Sequence, residues 1–221
     1  MKKLFLILLT IPSFYMSQLL SDNINDLDNS LSFVTKPKPE FETVGSPYVD
    51  DDFKTVRIEG ITKKLPKMRY NAYEDEMEFE INGKINYIVK NQNVKINFPD
   101  NNKTYVLTRY QLEGKDINGY LVILVNEGKY KLYKKETVEL LVNQNNKNIP
   151  YLNEKPPLYE RNKDVFLILY NGKFYKVQKN WKETAKELSV DNSELNDFIK
   201  KNKISVKDEA DLIRLVDFLN K

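Results

Sequence analysis

The densest chemistry in this chain lies between Arg69 and Glu78. That stretch holds an arginine, Tyr70, Tyr73 and the carboxylates Glu74, Asp75, Glu76 and Glu78. Two carboxyl groups can cleave a glycosidic bond when they face each other about 5–10 Å apart across a cleft. Neighbours on one turn do not make such a cleft, so Glu74 or Glu76 would need a partner from elsewhere, for example Glu113 or Glu136. The plainer reading is a turn between strands, with an arginine–carboxylate pair and packed tyrosines. A second acidic group, Asp50 to Asp52, follows Gly45, Ser46, Pro47 and Tyr48. Hard oxygen ligands suit calcium, but a calcium loop spaces its ligands around a glycine. Three adjacent aspartates diverge and read as a solvated turn.

What is missing narrows the chemistry further. The 221 residues contain no His and no Cys. Ser-His-Asp and Cys-His nucleophiles, His or Cys zinc sites and disulfides are therefore excluded. No Gly-rich phosphate loop occurs, and no cofactor is implied. Chemistry is left to carboxylates, Lys, Tyr, Ser and Thr, none of which titrates near neutrality unperturbed. Aromatic residues are plentiful, with 14 Tyr, 11 Phe and a single Trp. Tyr151 and Tyr159 sit on a long Pro- and Asn-rich stretch, where exposed rings can stack on sugars or anchor a partner. With Arg69, Tyr70 and Tyr73 they form the candidate binding set. Most other aromatics are assigned to the core, and Trp181 is expected to pin the first helix to the sheet. The lysines at 200, 201 and 203 are interleaved with acids elsewhere in the tail and read as a solvated helix surface.

These residues must be positioned mainly by strands. From about 53 to 178 the pattern alternates and favours Val, Ile, Tyr and Phe. Asn82 and Gly83, Asn126 to Gly128, and Asn171 and Gly172 mark hairpins, because Asn-Gly supplies positive φ. A three-residue loop at 126–128 would pair Leu124 with Tyr130 and Val122 with Leu132. A two-residue turn at 171–172 pairs Ile168 with Tyr175 and Phe166 with Val177. At 82–83 a two-residue turn would put Phe79 and Ile85 on opposite faces, so the expectation is a longer loop; the alternative is a hairpin buried on both sides. Residues 143–163 read as a long break, more a crossover than a binding loop.

The period then changes from strand to helix. Trp181 to Leu188 forms a short helix, Ser193 caps a second, and Ser205 to Asp208 resembles a capping box. Val206, Ala210, Ile213, Val216 and Leu219 trace an apolar stripe. The fold class is α+β: an antiparallel sheet (curved, sandwiched or partly closed as a barrel) over 49–178, followed by a helical unit over 179–221. The stripe is too short to bury itself alone, so tail and body are expected to unfold together.

The beginning of the chain bears on location. Met1, Lys2 and Lys3 precede an uncharged run from Leu4 to Met16. A basic start and a short apolar core make a secretory signal peptide, assigned to 1–18. Spanning a bilayer takes roughly 20 apolar residues, more than this run offers, and Pro12 interrupts it. Residues 19–48 then read as a flexible linker or an extended edge segment, with Pro37, Pro39 and Pro47. Net charge is +3, two units of it from Lys2 and Lys3, which leaves no footprint for nucleic acid. After cleavage the chain is not an integral membrane protein.

Gly45 to Tyr48, Arg69 to Glu78, Phe198 to Lys203 and Asp208 to Ile213 together resemble an uncharacterised family of small exported proteins of Bacteroidota-type bacteria. The resemblance spans nearly all of the mature chain. It implies export and one shared architecture, and it supplies no activity or site residue. The reading that follows is a non-catalytic envelope protein that acts as an interaction or assembly module with a protein partner. A glycan- or peptidoglycan-binding module using exposed tyrosines is the alternative, and a carboxylate hydrolase is the third.

Overall fold

The computed structural model describes residues 31–37, 42–90, 94–142, 156–190 and 193–221. The apolar run at 4–16, most of the 143–163 stretch and Tyr151 lie outside the described residues. Strands dominate and every ladder is antiparallel, with three helices at the end. The α+β reading therefore holds, with a strongly curved sheet that does not close.

One sheet orders four strands as β1 (Phe33–Thr35), β5 (Lys84–Ile88), β4 (Glu76–Ile81) and β3 (Met68–Asn71). The larger sheet orders seven: β13 (Lys173–Lys176), β12 (Val165–Tyr170), β9 (Tyr130–Lys135), β8 (Lys115–Val125), β7 (Lys103–Leu112), β6 (Lys95–Phe98) and β2 (Arg57–Ile58). A separate ribbon pairs β10 (Val138–Leu141) with β11 (Leu158–Arg161). The helices are α1 (Trp181–Leu188), α2 (Ser193–Asn202) and α3 (Glu209–Leu219).

Three apolar clusters follow from strand alternation. Met68, Met77, Phe79 and Ile88 of the small sheet bury against Ile96, Phe98, Leu107, Tyr120 and Val122 of the large one. Leu132, Phe166 and Ile168 meet Trp181, Ala185, Leu188, Leu195, Leu212, Leu215 and Val216, so the helices pack directly on β9 and β12. Neighbouring residues in those strands turn the other way, and Tyr110, Leu121, Tyr133 and Leu167 line the concave side of the curl. Trp181 sits in the helix–sheet cluster, as its position suggests.

The segment before residue 48 is tied to the body where it is described. Phe33–Thr35 pairs with β5 as an edge strand. The amide of Val44 donates to Pro157 O (2.8 Å), and the amide of Tyr159 donates to Val44 O (2.8 Å). Gly45 makes this docking possible: its φ is +79°, and a Cβ there would lie 2.6 Å from Tyr159 O.

Several expectations are corrected. Asn82 and Gly83 form a two-residue turn with φ of 51° and 73°, and Ile81 pairs with Lys84. The longer loop is absent because the hairpin is buried on both sides: Met77, Glu78 and Phe79 are all inaccessible. A β-bulge between Ile123 and Val125 shifts the next hairpin, pairing Val122 with Lys134 and Val125 with Leu132. The extra residue absorbs the one-step slip that the symmetric loop would have forbidden. The 171–172 register is as expected, with Ile168 opposite Tyr175 and the Val177 amide donating to Phe166 O. A further hairpin joins β7 to β8 through Glu113 and Gly114, both at positive φ. β11 lies within the stretch read as a break, directly after Pro156 and Pro157. In α3 the buried face is Leu212, Leu215 and Val216, while Ala210 is exposed. The helix starts three residues later than the expected Ser205 box: Asp208 caps it by accepting from the Asp211 amide (3.0 Å), and Ser205 lies in the turn before it.

The helical unit is also clasped at its end. Asn220 accepts from the Tyr130 amide (2.8 Å) and donates to Tyr130 O (2.8 Å). Gly128 (φ +91°) leaves room for that side chain. Because α3 shares one core with β9 and β12, Leu212→Ala is expected to cost about 2–5 kcal/mol. Calorimetry should show one transition shifted as a whole, not a separate early melt of the helices.

Candidate functional site

The Arg69 to Glu78 segment is the β3–β4 hairpin, and its carboxylates reach inward. Asp75, at φ 59°, turns its side chain across to the large sheet. Its Oδ1 accepts from Tyr70 Oη (2.6 Å), from the Tyr120 amide (3.2 Å) and from Lys135 Nζ. Its Oδ2 accepts from Lys90 Nζ (2.8 Å). Gly119 is required beside it, since a Cβ there would strike Oδ2. Lys135 completes its three donors with Tyr70 Oη (2.9 Å) and Tyr120 O (3.3 Å). Burial pulls the Lys135 ammonium below its ordinary pKa of 10.5, against the pull of Asp75.

The same grouping of carboxylate, lysine and tyrosine occurs twice more. Glu78 is inaccessible. Its Oε1 accepts from Asn71 Nδ2 (2.8 Å) and Lys36 Nζ (2.9 Å), and its Oε2 from Tyr48 Oη (2.9 Å). Arg69 Nε lies 3.5 Å from that oxygen, and the guanidinium stacks 3.6 Å over the Tyr48 ring. Glu136 accepts from Lys103 Nζ (2.9 Å) and Tyr105 Oη (2.6 Å). Burial pushes Glu78 and Glu136 up, but hydrogen bonds and lysine charge outweigh it, and both end below the ordinary 4.5. Glu76 shares Lys36 (2.9 Å), yet burial leaves it above 4.5.

Glu76 and Glu78 are thus adjacent acids with opposite shifts, a pattern that acid–base pairs also show. Here a lysine occupies the space between them and the oxygens of Glu78 are fully engaged. Glu74 is exposed on the turn, and Glu113 is an exposed acid paired with Lys176 (2.6 Å). Asp50 accepts from the Asp52 amide (3.2 Å) and pairs with Lys54 (3.0 Å), which makes that acidic run a turn. Among the described residues no group of acids is arranged to hold a metal.

The candidate binding residues therefore separate. Arg69 and Tyr70 belong to the buried networks. Tyr73 points outward with 38% of its surface exposed, and Tyr159 meets it edge-to-face, ring centroids 5.1 Å apart. Two independent pieces of backbone set this pair. Asn71 Oδ1 accepts from the amides of Tyr73 (3.1 Å) and Glu74 (2.9 Å), which fixes the turn. Tyr159 is held on β11 by the Val44 bridge and by Leu140, its partner on β10. Val44, Leu141, Val142 and Leu158 are also exposed. Val44 bridges to Leu158, and Leu158 pairs with Leu141, so these apolar side chains gather at one end of the ribbon, on the face that alternation sets opposite Tyr159. Sequence reasoning missed the roles of Lys135 and Lys36, which resemble ordinary surface charge in the sequence, and named Glu136 only as a possible partner acid, whereas Lys103 and Tyr105 occupy it.

No protein-family model, curated protein or solved structure matches this chain. Among the described residues no helix is long and apolar enough to cross a membrane.

Breaking one partner of a buried ion pair typically costs about 3–5 kcal/mol, because the other charge is stranded. Asp75→Ala and Lys135→Ala are each expected to fall in that range, and the double Asp75→Asn, Lys135→Met variant to lose less than their sum. Chemical denaturation of the three variants checks this. Glu78 and Glu136, depressed in the fold, contribute stability that is complete above pH 4.5 and lost as pH falls below it. Glu76, raised, has the opposite sign and weakens the fold as pH climbs from 4.5 through its folded value. The melting temperature should therefore drop steeply below pH 4.5, and Glu136→Gln should make that drop shallower.

Proposed function

We propose that this protein is a non-catalytic interaction module that works in the cell envelope after export, with the Tyr73–Tyr159 surface as its contact. The observation that carries this reading is the edge-to-face pairing of exposed Tyr73 with half-buried Tyr159, from distant parts of the chain, near a ribbon that also exposes Val44, Leu141, Val142 and Leu158. Rigid aromatic anchors beside aliphatic groups are what protein interfaces concentrate. The backbone under both rings is fixed by Asn71, Gly45 and the β10–β11 ladder, so the surface is preorganised. The engaged state of Asp75, Glu78 and Glu136 favours a binding role over hydrolysis, since each already accepts from a lysine and a tyrosine. The exposed aliphatic ribbon favours a protein partner over a glycan, whose hydroxyls call for planar polar side chains beside the ring. Export rests on Lys2, Lys3 and the apolar run at 4–16.

A photo-crosslinker placed at Tyr73 in mature protein added to envelope fractions should yield one dominant protein adduct. Tyr159→Ala should weaken capture by about 2 kcal/mol, a hot-spot loss, measured at a temperature where the variant is fully folded, since its ring also packs on the apolar cluster between the sheets. Saturable binding to purified polysaccharide, abolished by Tyr73→Ala with Tyr159→Ala and without any protein adduct, would replace the protein partner with a glycan.

A further inference from the structure

Lys36 follows the edge strand β1, and its amide donates to Ile85 O (2.8 Å) on β5. Its side chain passes over to β4, where Nζ donates to Glu78 Oε1 (2.9 Å). The same oxygen accepts from Asn71 Nδ2 (2.8 Å), at the end of β3. An amine and a carboxamide thus flank one carboxylate oxygen, and their nitrogens lie within two hydrogen-bond lengths of each other. Glu78 is inaccessible and Asn71 only 3% exposed, whereas the Lys36 side chain is 25% exposed.

The carboxamide is held in one orientation. Its Oδ1 accepts from the amides of Tyr73 (3.1 Å) and Glu74 (2.9 Å). Turning the group over would aim its oxygen at a carboxylate and its NH2 at two donors. Two backbone N–H groups on a carbonyl oxygen are also the arrangement that stabilises an oxyanion when that carbonyl is attacked. An amine, an amide carbon, a carboxylate touching both nitrogens and a pair of oxyanion donors are the components of an acyl transfer. Burial of Asn71 and Glu78 keeps water, the competing nucleophile, from the amide carbon.

We infer that Lys36 and Asn71 condense into an intramolecular isopeptide bond, with Glu78 carrying the protons. Lys36 Nζ gives one proton to Glu78 Oε1 and attacks Asn71 Cγ. The electron pair of the C=O bond moves to Oδ1, where the Tyr73 and Glu74 amides hold it. Glu78 passes its proton to Nδ2 and takes a second from Nζ. The electron pair on Oδ1 returns, the Cγ–Nδ2 bond breaks, and ammonia leaves with the second proton as ammonium. The step consumes no co-reactant and restores the Glu78 carboxylate. Its product fits the same frame, since Oδ1 keeps both amide donors and the new N–H faces Glu78.

Burial would lower the Lys36 ammonium, but hydrogen bonds to Glu78 and Glu76 outweigh it, and it ends above 10.5. The resting pair with Glu78 is therefore charged, which makes the reaction slow, but a bond that forms once per molecule requires no turnover. Only three residues of β1 pair with β5. The bond ties the segment behind them to β3, across the small sheet. In a chain with no Cys it takes the place of a disulfide by constraining the unfolded chain. It does not depend on the role of the Tyr73–Tyr159 surface.

Mass spectrometry of the purified, denatured mature protein tests this. The mass should fall short of the sum of its residues by one ammonia, and a digest should contain one branched peptide joining Lys36 to Asn71. An Asn-Gly pair that closes to a succinimide loses the same mass, and Asn82, Asn118 and Asn171 each precede glycine. Lys36→Arg separates the two: it keeps a cation beside Glu78 and should restore the full mass, whereas a succinimide would survive it. Glu78→Gln should slow bond formation by about a hundredfold, the usual worth of a positioned proton carrier, followed as mass against time after refolding. Should that variant not fold by circular dichroism, Lys36→Arg and the branched peptide decide. Full mass in the folded wild-type protein, a deficit that persists in Lys36→Arg, or a branch at other residues would overturn the proposal. A folded Glu78→Gln variant that forms the bond at the wild-type rate would overturn the role of Glu78.

Discussion

The two sheets meet over a half-buried carboxylate. Asp75 leaves the β3–β4 turn and accepts from Tyr70, from the backbone of β8 and from Lys135 at the end of β9. A side chain without a carboxylate there would leave the buried Lys135 ammonium with no counter-charge. The turn must adopt a left-handed residue to deliver the carboxylate, and β8 must carry glycine at position 119 to receive it. Strand alternation in both sheets is then measured from this point. The apolar cluster between the sheets fills in around a contact whose geometry is fixed by charge.

Repetition of the grouping explains the unusual composition. A carboxylate, a lysine and a tyrosine hydroxyl recur at Asp75, Glu78 and Glu136. Tyrosine suits this use because its ring joins the apolar core while its hydroxyl donates to the acid. Tyr70 and Tyr105, for example, pack ring on ring at 4.8 Å while each serves a different carboxylate. A chain without cysteine or histidine thus fixes its sheets with paired charge. Buried pairs of this kind contribute more to specifying one arrangement than to net stability, since desolvation offsets much of their attraction.

Local signals were legible in the sequence and long-range ones were not. The strand-then-helix order and the 171–172 register follow from nearby residue types, whereas the cap of α3 falls at Asp208, three residues past Ser205. The β4–β5 turn misled because Glu78 looked like the solvent side of an alternating strand, whereas a buried acid with four partners reads identically in sequence. The bulge near Leu124 leaves no local mark, and Leu212 and Ile213 offered two neighbouring helical stripes that only the sheet could choose between. At the candidate site Tyr73 and Tyr159 were each visible as aromatics on non-apolar stretches. Their meeting was not, because it depends on Gly45 docking against β11 and on the hairpin turn fixed by Asn71. Arg69 and Tyr70 drew attention through the same density of charge that buries them.

The path of the chain between β9 and β12 carries a different kind of consequence. Lys135 pairs directly with Val165, so the chain leaves the large sheet and re-enters it at the same rung. Everything between, including the β10–β11 ribbon that presents Tyr159, is a detour from an otherwise continuous hairpin. Lengthening or shortening the far part of that detour leaves the ladder of the sheet untouched, provided Glu136 and the buried Val138 stay at its root. The proposed contact surface can therefore drift in lineage time at its own pace, while the scaffold beneath it inherits nothing of the change.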